Sequence, residues 1–198
     1  MRLLSLLLLV LLISCGEPSS SPASAEGIDL SGYTQDDVPG SDAKHVFQLD
    51  NLGYSVAEGL LRDGKREGVW IEYHPGTHIP RSIVSYVSGI PNGPTVFIDS
   101  RGQVEEKQGL RNGQLHGVLA KYDYGKAAAE MNYVDGKLDG LAKTYYDGRH
   151  RGKLQQEVEY KAGVQHGKFI YYNEDGKKTL EYVYKDGEKV SGGMTEGK

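Results

Sequence analysis

The sequence predicts an all-β fold: an elongated antiparallel single sheet built as an array of consecutive β-hairpins. Three observations carry that prediction. The first is a glycine beat at Gly64, Gly89, Gly113, Gly136, Gly163 and Gly187, with intervals of 25, 24, 23, 27 and 24 residues. Fixed self-similarity at this period marks a repeat architecture. The second is the company each glycine keeps. Three residues before it sits Leu61, Tyr86, Leu110, Tyr133, Tyr160 or Tyr184, and four residues after it Gly68, Gly93, Gly117, Gly140 or Gly167. The last copy breaks the pattern, with Ser191 in that place and Gly192 one position late. The third is the absence of a sustained helical stripe: the nearest approach, KAAAEM at 126–131, favours helix locally but falls in the register of a strand.

Each unit of about 24 residues reads as one hairpin. After the second glycine comes a run that alternates apolar and polar residues, as in VWIEY (69–73), TVFI (95–98), VLAKY (118–122), LAKTYY (141–146) and KFIYY (168–172). That alternation is the mark of a half-buried strand. Tyr73, Tyr122, Tyr145 and Tyr172 close four of these runs, and Ile98 takes the place in the second. Turn signals follow at Arg101-Gly102, Tyr124-Gly125, Asp147-Gly148 and Asp175-Gly176. Two-residue hairpin turns need positive φ at both central residues, and the sequence places them at these dipeptides. A return strand then leads to the next Tyr/Leu-x-x-Gly, which reads as the bend between hairpins. In YVDGKLDG (133–140), Tyr133 packs, Gly136 and Gly140 bend the chain, and Asp135 and Asp139 keep the bend hydrated.

Tyr-x-x-Gly-x-x-x-Gly at this spacing resembles the variant MORN repeat (membrane occupation and recognition nexus), over roughly residues 58–193. It is similar to bacterial proteins described as YwqK-family antitoxins, and departs from the eukaryotic pattern, which has Tyr-x-Gly and denser glycines. The resemblance implies an extended, twisted sheet of hairpins. Six units at two strands each would extend about 55–60 Å, with the Tyr and Leu rows on one groove-like face.

The ends of the chain carry a different message. MRLLSLLLLVLLISC opens with one Arg and an apolar run from Leu3 to Ile13, the shape of a secretory signal and too short for a permanent span. Leu12-Ile13-Ser14-Cys15 resembles the lipobox of bacterial lipoproteins, in which the cysteine thiol takes a diacylglyceryl group and cleavage precedes it. The resemblance implies a signal peptide at 1–14 and lipidation at Cys15. Gly16 in place of Asp implies outer-membrane sorting and a periplasmic or surface-facing cell-envelope location. Cys15 is the sole cysteine, so no disulfide forms within the chain. Residues 15–44 are rich in Ser, Pro, Gly and Asp and read as a flexible tether, leaving 45–198 as the repeat domain. The formal charge of −4 becomes −5 once Arg2 leaves with the signal. A mildly acidic chain argues against broad nucleic-acid binding and against docking on anionic lipid headgroups.

Chemistry-bearing residues are sparse. The GxxxG beat lacks the Gly-Lys-Ser/Thr of a phosphate loop. Asp135 with Asp139, and Glu174 with Asp175, lack the twelve-residue ligand pattern of a calcium loop. His116 and His166 hold equivalent places in units about 20 Å apart and cannot share a metal. His74 and His78, with no Cys or carboxylate nearby, make a weak pair. Glu105-Glu106 and Glu157/Glu159 imitate a glycosidase pair without a setting that would raise a carboxyl pKa. No catalytic residue, metal or cofactor is expected, and the chain reads as a non-enzyme.

Two irregularities stand out as possible partner-binding features: the longer fourth unit, where Arg149, His150, Arg151 and Lys153 form a basic loop, and Trp70, the one tryptophan. Insertions in repeat arrays gather on one side, often the binding side. The expected function is a membrane-anchored lipoprotein whose sheet docks another protein. The alternatives are an antitoxin or immunity protein against an envelope or incoming toxin, or a glycan- or peptidoglycan-binding module.

Overall fold

The computed structural model describes residues 28–195. Among these, fourteen strands form one antiparallel sheet in strict chain order, with β1 and β14 at its edges. They are β1 (Thr34–Asp37), β2 (Lys44–Leu49), β3 (Ser55–Arg62), β4 (Lys65–Tyr73), β5 (Pro80–Val87), β6 (Ile90–Ile98) and β7 (Val104–Arg111). The second half runs β8 (Gln114–Asp123), β9 (Lys126–Val134), β10 (Lys137–Tyr145), β11 (Leu154–Lys161), β12 (Val164–Tyr172), β13 (Lys178–Lys185) and β14 (Glu188–Met194). The all-β hairpin array read from the glycine beat is therefore the fold, and KAAAEM lies in β9 as its register required.

The turns differ from expectation in a way that explains the repeat. The tight two-residue turns lie at the first glycine of each beat: Asp63-Gly64, Ser88-Gly89, Asn112-Gly113, Asp135-Gly136, Ala162-Gly163 and Asp186-Gly187. Their first residues have φ of 48–52° and their glycines 70–91°. Both positions sit in the left-handed region, as a type I′ turn requires to match strand twist. Of the dipeptides expected to do this at the other edge, only Tyr124-Gly125 does, with φ of 47° and 73°. Two of the others belong to wider turns organised by a side chain. Asp99 Oδ1 accepts from Arg101 N and Gln103 N at 2.9 Å, and Asn173 Oδ1 from Asp175 N and Lys177 N at 3.1 and 2.9 Å. Asp147-Gly148 leads into a short 3-10 turn, Gly148–His150.

The second glycine of the beat is not a bend between hairpins but a bulge inside a strand. In the fourth unit Leu138 pairs with Tyr133 and Ala142 with Met131, so 139–141 stand opposite the single residue Asn132. Gly140 occupies φ of 104° there. The same three-against-one pattern recurs in the β3–β4, β5–β6, β7–β8 and β11–β12 hairpins. In the last hairpin Tyr184 pairs with Lys189 and Val183 with Ser191, leaving only Val190 over. The late Gly192 of the sequence lies outside this smaller bulge, paired with Tyr182.

Bulge and turn together join successive hairpins. From the second of these turns onward, the N–H of the turn glycine donates to a carbonyl of the preceding hairpin: Gly89 to Arg66, Gly113 to Pro91, Gly136 to Leu115, Gly163 to Leu138 and Gly187 to Gln165, all at 2.8–2.9 Å. The side chain just before the bulge glycine adds a second tie. Glu67 Oε2 accepts from Ser88 N at 2.8 Å and Asp139 Oδ2 from Ala162 N at 3.0 Å. His116 Nδ1 faces Asp135 N at 3.5 Å and His166 Nδ1 faces Asp186 N at 3.4 Å. Asp135 does more than hydrate its turn, since it also pairs with Arg111 of the preceding hairpin.

The two tyrosine rows part company. Cross-strand pairs share a face, so the row three residues before the turn glycine (Leu61, Tyr86, Leu110, Tyr133, Tyr160, Tyr184) lies on the same face as Trp70, Val84, Leu119, Met131 and Val158. This is the core face. Tyr73, Tyr145 and Tyr172 instead stand among carboxylates of the opposite face, contrary to the expectation of a single tyrosine-lined groove. Period-two alternation is the reason: a bulge that adds two residues preserves the parity of the strand, so positions −3 and +9 keep opposite faces.

The segment expected to be all tether contributes to the fold from residue 28 onward. Ile28, Leu30 and Tyr33 pack against the buried cluster of Val46, Leu61, Trp70, Val84 and Tyr86. The polar average of 15–44 masks these three side chains, which find apolar surface only because β3, β4 and β5 present it. Trp70 is 1% exposed. Its Nε1 donates to Leu60 O at 2.8 Å, the Arg66 guanidinium covers its ring at 4.6 Å, and Tyr33 lies 6.4 Å away ring to ring. The signal segment 1–14, Cys15 and the tether up to residue 27 lie outside the described residues.

Candidate functional site

The core face is covered unevenly. Over β3–β5 the 28–33 segment closes it. Over β9–β11 a second buried cluster, Ala129, Met131 and Ala142, carries Tyr133, Leu138 and Tyr160 as only partly buried neighbours. A shallow cavity of about 130 Å³ opens here, lined by these residues other than Ala129, with Thr144, Gln156 and Val158. Further along, Phe169 stacks on Tyr182 at 6.0 Å and meets Tyr184 edge-on at 6.4 Å, while Lys189 Nζ sits 3.5 Å from the Tyr182 ring centre. These rings are half-exposed. The surface combines apolar area with phenol edges, which suits recognition of another polypeptide.

The opposite face carries phenol–carboxylate pairs. Tyr73 donates to Glu58, Tyr172 Oη to Glu157 Oε2 at 2.8 Å, and Tyr145 to Glu130. Partial burial first, and the carboxylate partner second, push all three phenols up to about 12 from the ordinary 10. A raised folded-state value means the fold favours the neutral phenol. The stabilisation is whole below pH 10 and disappears as pH rises from 10 through about 12. The melting temperature should therefore fall steeply across that interval. Replacing Tyr73, Tyr145 and Tyr172 together by Phe should flatten the fall; an unchanged alkaline limb in the triple variant would show that these pairs do not govern it.

The basic loop of the fourth unit is ordered by its own contacts. His150 Nε2 lies 3.1 Å from Glu174 Oε2, Lys153 Nζ donates to Glu174 O at 2.8 Å, and Arg151 Nε donates to Asp123 Oδ2 at 2.5 Å. Arg149 is exposed at the tip. Trp70, the other irregularity, is interior and presents no ring face to a ligand. The structure does not bring Trp70 and the loop together: one lies on the core face of β4, the other at the turn edge between β10 and β11. The exposed ring that sequence reasoning passed over is Tyr124, taken only as part of a turn signal. Its bulk at a position that favours Asn, Asp or Gly was the available clue.

The remaining candidates resolve into structural roles. His116, His166, Asp135 and Asp139 tie turns, as described above. His74 Nε2 lies 2.8 Å from Ile98 O, and the His78 ring lies 5.1 Å from that of Tyr54. Glu106 is buried and pairs with Lys121 at 3.5 Å, whereas Glu105, next along the strand, points to the other face and is exposed. Glu157 and Glu159 share a face but have separate partners, since Glu159 Oε2 accepts from Lys168 N at 2.7 Å. Among the described residues no group of three His, Cys, Asp or Glu could hold a metal ion, and no helix is long and apolar enough to cross a membrane.

No protein-family model matches the chain, and no curated protein does. Among solved structures the chain is similar to S. aureus TarM, in a mutant complexed with fondaparinux, α-GlcNAc-glycerol and UDP. The likeness has 15% identity and a TM-score of 0.35, over 57% of this chain and 21% of that one. A second TarM structure gives 16% identity and a TM-score of 0.34 over the same shares. The matched region spans about a fifth of the TarM chain.

Proposed function

We propose that this protein is a lipid-anchored docking module of the bacterial cell envelope, attached through Cys15 and presenting its hairpin sheet to another protein. The observation that carries the reading is the uneven cover of the core face. Residues 28–33 close it at one end, while Tyr133, Leu138, Tyr160, Phe169, Tyr182 and Tyr184 stay half-exposed at the other. A rigid face of aromatic and aliphatic side chains loses little side-chain entropy on binding. The lipobox-like Leu12-Ile13-Ser14-Cys15 supports the anchor, and the two acyl signals of such a cysteine suffice for stable attachment.

The test is crosslinking capture from intact envelopes with the full chain. The parent should fractionate with membranes and capture a defined partner. A Leu138→Ser/Tyr160→Ser variant with an unchanged circular dichroism spectrum should capture about tenfold less, and Cys15→Ala should leave the membrane fraction. Capture no better than background from the parent would end the docking reading.

A further inference from the structure

Tyr124 departs from the logic that places every other aromatic ring of the described residues. Among the Tyr, Phe and Trp rings of the described residues it is the one that is exposed rather than part-buried or buried, at 60%. It also occupies φ of 47° in the turn between β8 and β9. A bulky side chain there is strained, because the left-handed region crowds Cβ against the backbone. The six tight turns at the other edge put Asp, Ser, Asn or Ala at the equivalent position, with nothing larger than Asn or Asp. The strain is uncompensated by burial.

Two arginines flank the ring, one from the turn on either side. The Arg101 guanidinium lies 4.5 Å from the ring centre and that of Arg151 4.6 Å. Each is aimed by a carboxylate: Asp99 Oδ2 accepts from Arg101 Nε and Nη2 at 2.7 and 2.5 Å, and Asp123 Oδ2 from Arg151 Nε at 2.5 Å. Three consecutive turns thus present one preorganised Arg–Tyr–Arg stack. Arg151 makes its bond to Asp123 through Nε. Arg149, two positions away, is exposed at the tip of the longer fourth unit. Tyr and Arg held rigid on a surface are the residue types that dominate binding energy at protein interfaces. The Nη groups of an arginine form a fork matched to a carboxylate.

We propose that the Arg101–Tyr124–Arg151 stack is a docking point for an acidic segment of a partner protein, with the Tyr124 ring as the apolar anchor and Arg151, with Arg149, receiving a carboxylate. It rests on the docking reading above but occupies a different surface, the turn edge rather than the core face. Strain at an exposed, preorganised ring is what selection for binding leaves behind, whereas selection for stability alone would favour Asn or Gly at this turn.

The experiment has two parts, both on the full chain in the cells that make it. A photoreactive benzoylphenylalanine replaces Tyr124 in one strain and Ala162 in another. Ala162 has the same backbone conformation at the opposite edge. A third strain carries it at Leu138 on the core face. Protein adducts from position 124, absent from 162 and lost when Arg149→Gln and Arg151→Gln are added, are the expected result. Adducts from 138 alone would overturn the stack and leave the core-face reading standing; no adduct at any position would overturn both.

The second part measures melting of Tyr124→Asn, which should be no lower than the parent because Asn tolerates the left-handed region. A clearly lower melting temperature would make the stack a lock between turns and overturn the proposal. Co-sedimentation with vesicles containing anionic phospholipid, abolished in Tyr124→Asn, would assign the stack to a headgroup and likewise overturn it.

Discussion

Replacing Trp70 by Ala should cost about 3–5 kcal/mol of unfolding free energy, the range for deleting a fully buried aromatic side chain. The ring is the largest fully buried side chain among the described residues. It closes the contact between β3, β4 and β5 and the 28–33 segment. Its loss removes dispersion contacts on every side, leaves the Leu60 carbonyl without its indole donor, and takes away the surface on which Arg66 lies. Gly59 shows how closely the site is fitted, since a Cβ added there would overlap the indole. Relaxation into the cavity is limited because Gly59 has no side chain to fill it. The check is urea unfolding followed by circular dichroism, with limited proteolysis of residues 28–33 as a second readout. Early cleavage there should accompany the loss, because Ile28, Leu30 and Tyr33 keep their cover only while the ring is present. A loss below about 1 kcal/mol would mean that the N-terminal cluster does not hold the array together.

Gly109→Ala should be the most damaging conservative change in the middle of the sheet. Gly109 stands opposite the three-residue bulge of β8, and a Cβ would run into the carbonyl oxygen of His116. That obstacle is backbone rather than the tip of a flexible side chain, so the bulge itself must shift. The shift would disturb the carbonyls that receive the next turn, including the bond from Gly136 N to Leu115 O. Overpacking of this kind costs about 1–3 kcal/mol. In an array whose units contact only their neighbours the damage is local. Amide exchange should rise first in β7, β8 and the 135–136 turn, and only later in β3–β5. Uniform faster exchange from end to end would contradict nearest-neighbour stability. Ser85, Asn132 and Glu159 occupy the equivalent place in other hairpins, where Asn132 donates to Leu141 O and Glu159 accepts from Lys168 N. The position tolerates a side chain only where the local bulge leaves room for one.

These cases show what could be read in the residues. The register of Tyr/Leu-x-x-Gly was legible because turn geometry is local: positive φ and the preference for Gly are properties of a few bonds. The assignment of KAAAEM to a strand followed from the same register against its helix propensity. What was misread was non-local. Gly140 looked like a bend because a lone glycine signals only that backbone freedom is needed, and a bulge opposite Asn132 needs it as much as a turn. Asp139 looked like a solvated turn residue because its partner, Ala162 N, lies in the next hairpin, as does Asp135 N, which His116 faces. Ile28 and Leu30 vanished into a polar average for the same reason.

The candidate site divides along the same line. Arg149, His150 and Arg151 were legible as a break in period, and Trp70 as a lone large ring. Burial at 1% makes Trp70 a core residue, while Tyr124, which had no compositional mark, emerges as the exposed ring. Sequence by itself determined the repeat, the hairpin order and the all-β class, because these follow from hydrogen-bonding groups and dihedral preferences within about 24 residues. Tertiary structure alone decided which tyrosines are core, which carboxylates tie hairpins, and which arginines meet at Tyr124. Those depend on which side of a bulged strand a residue leaves from and on what the neighbouring unit places beside it.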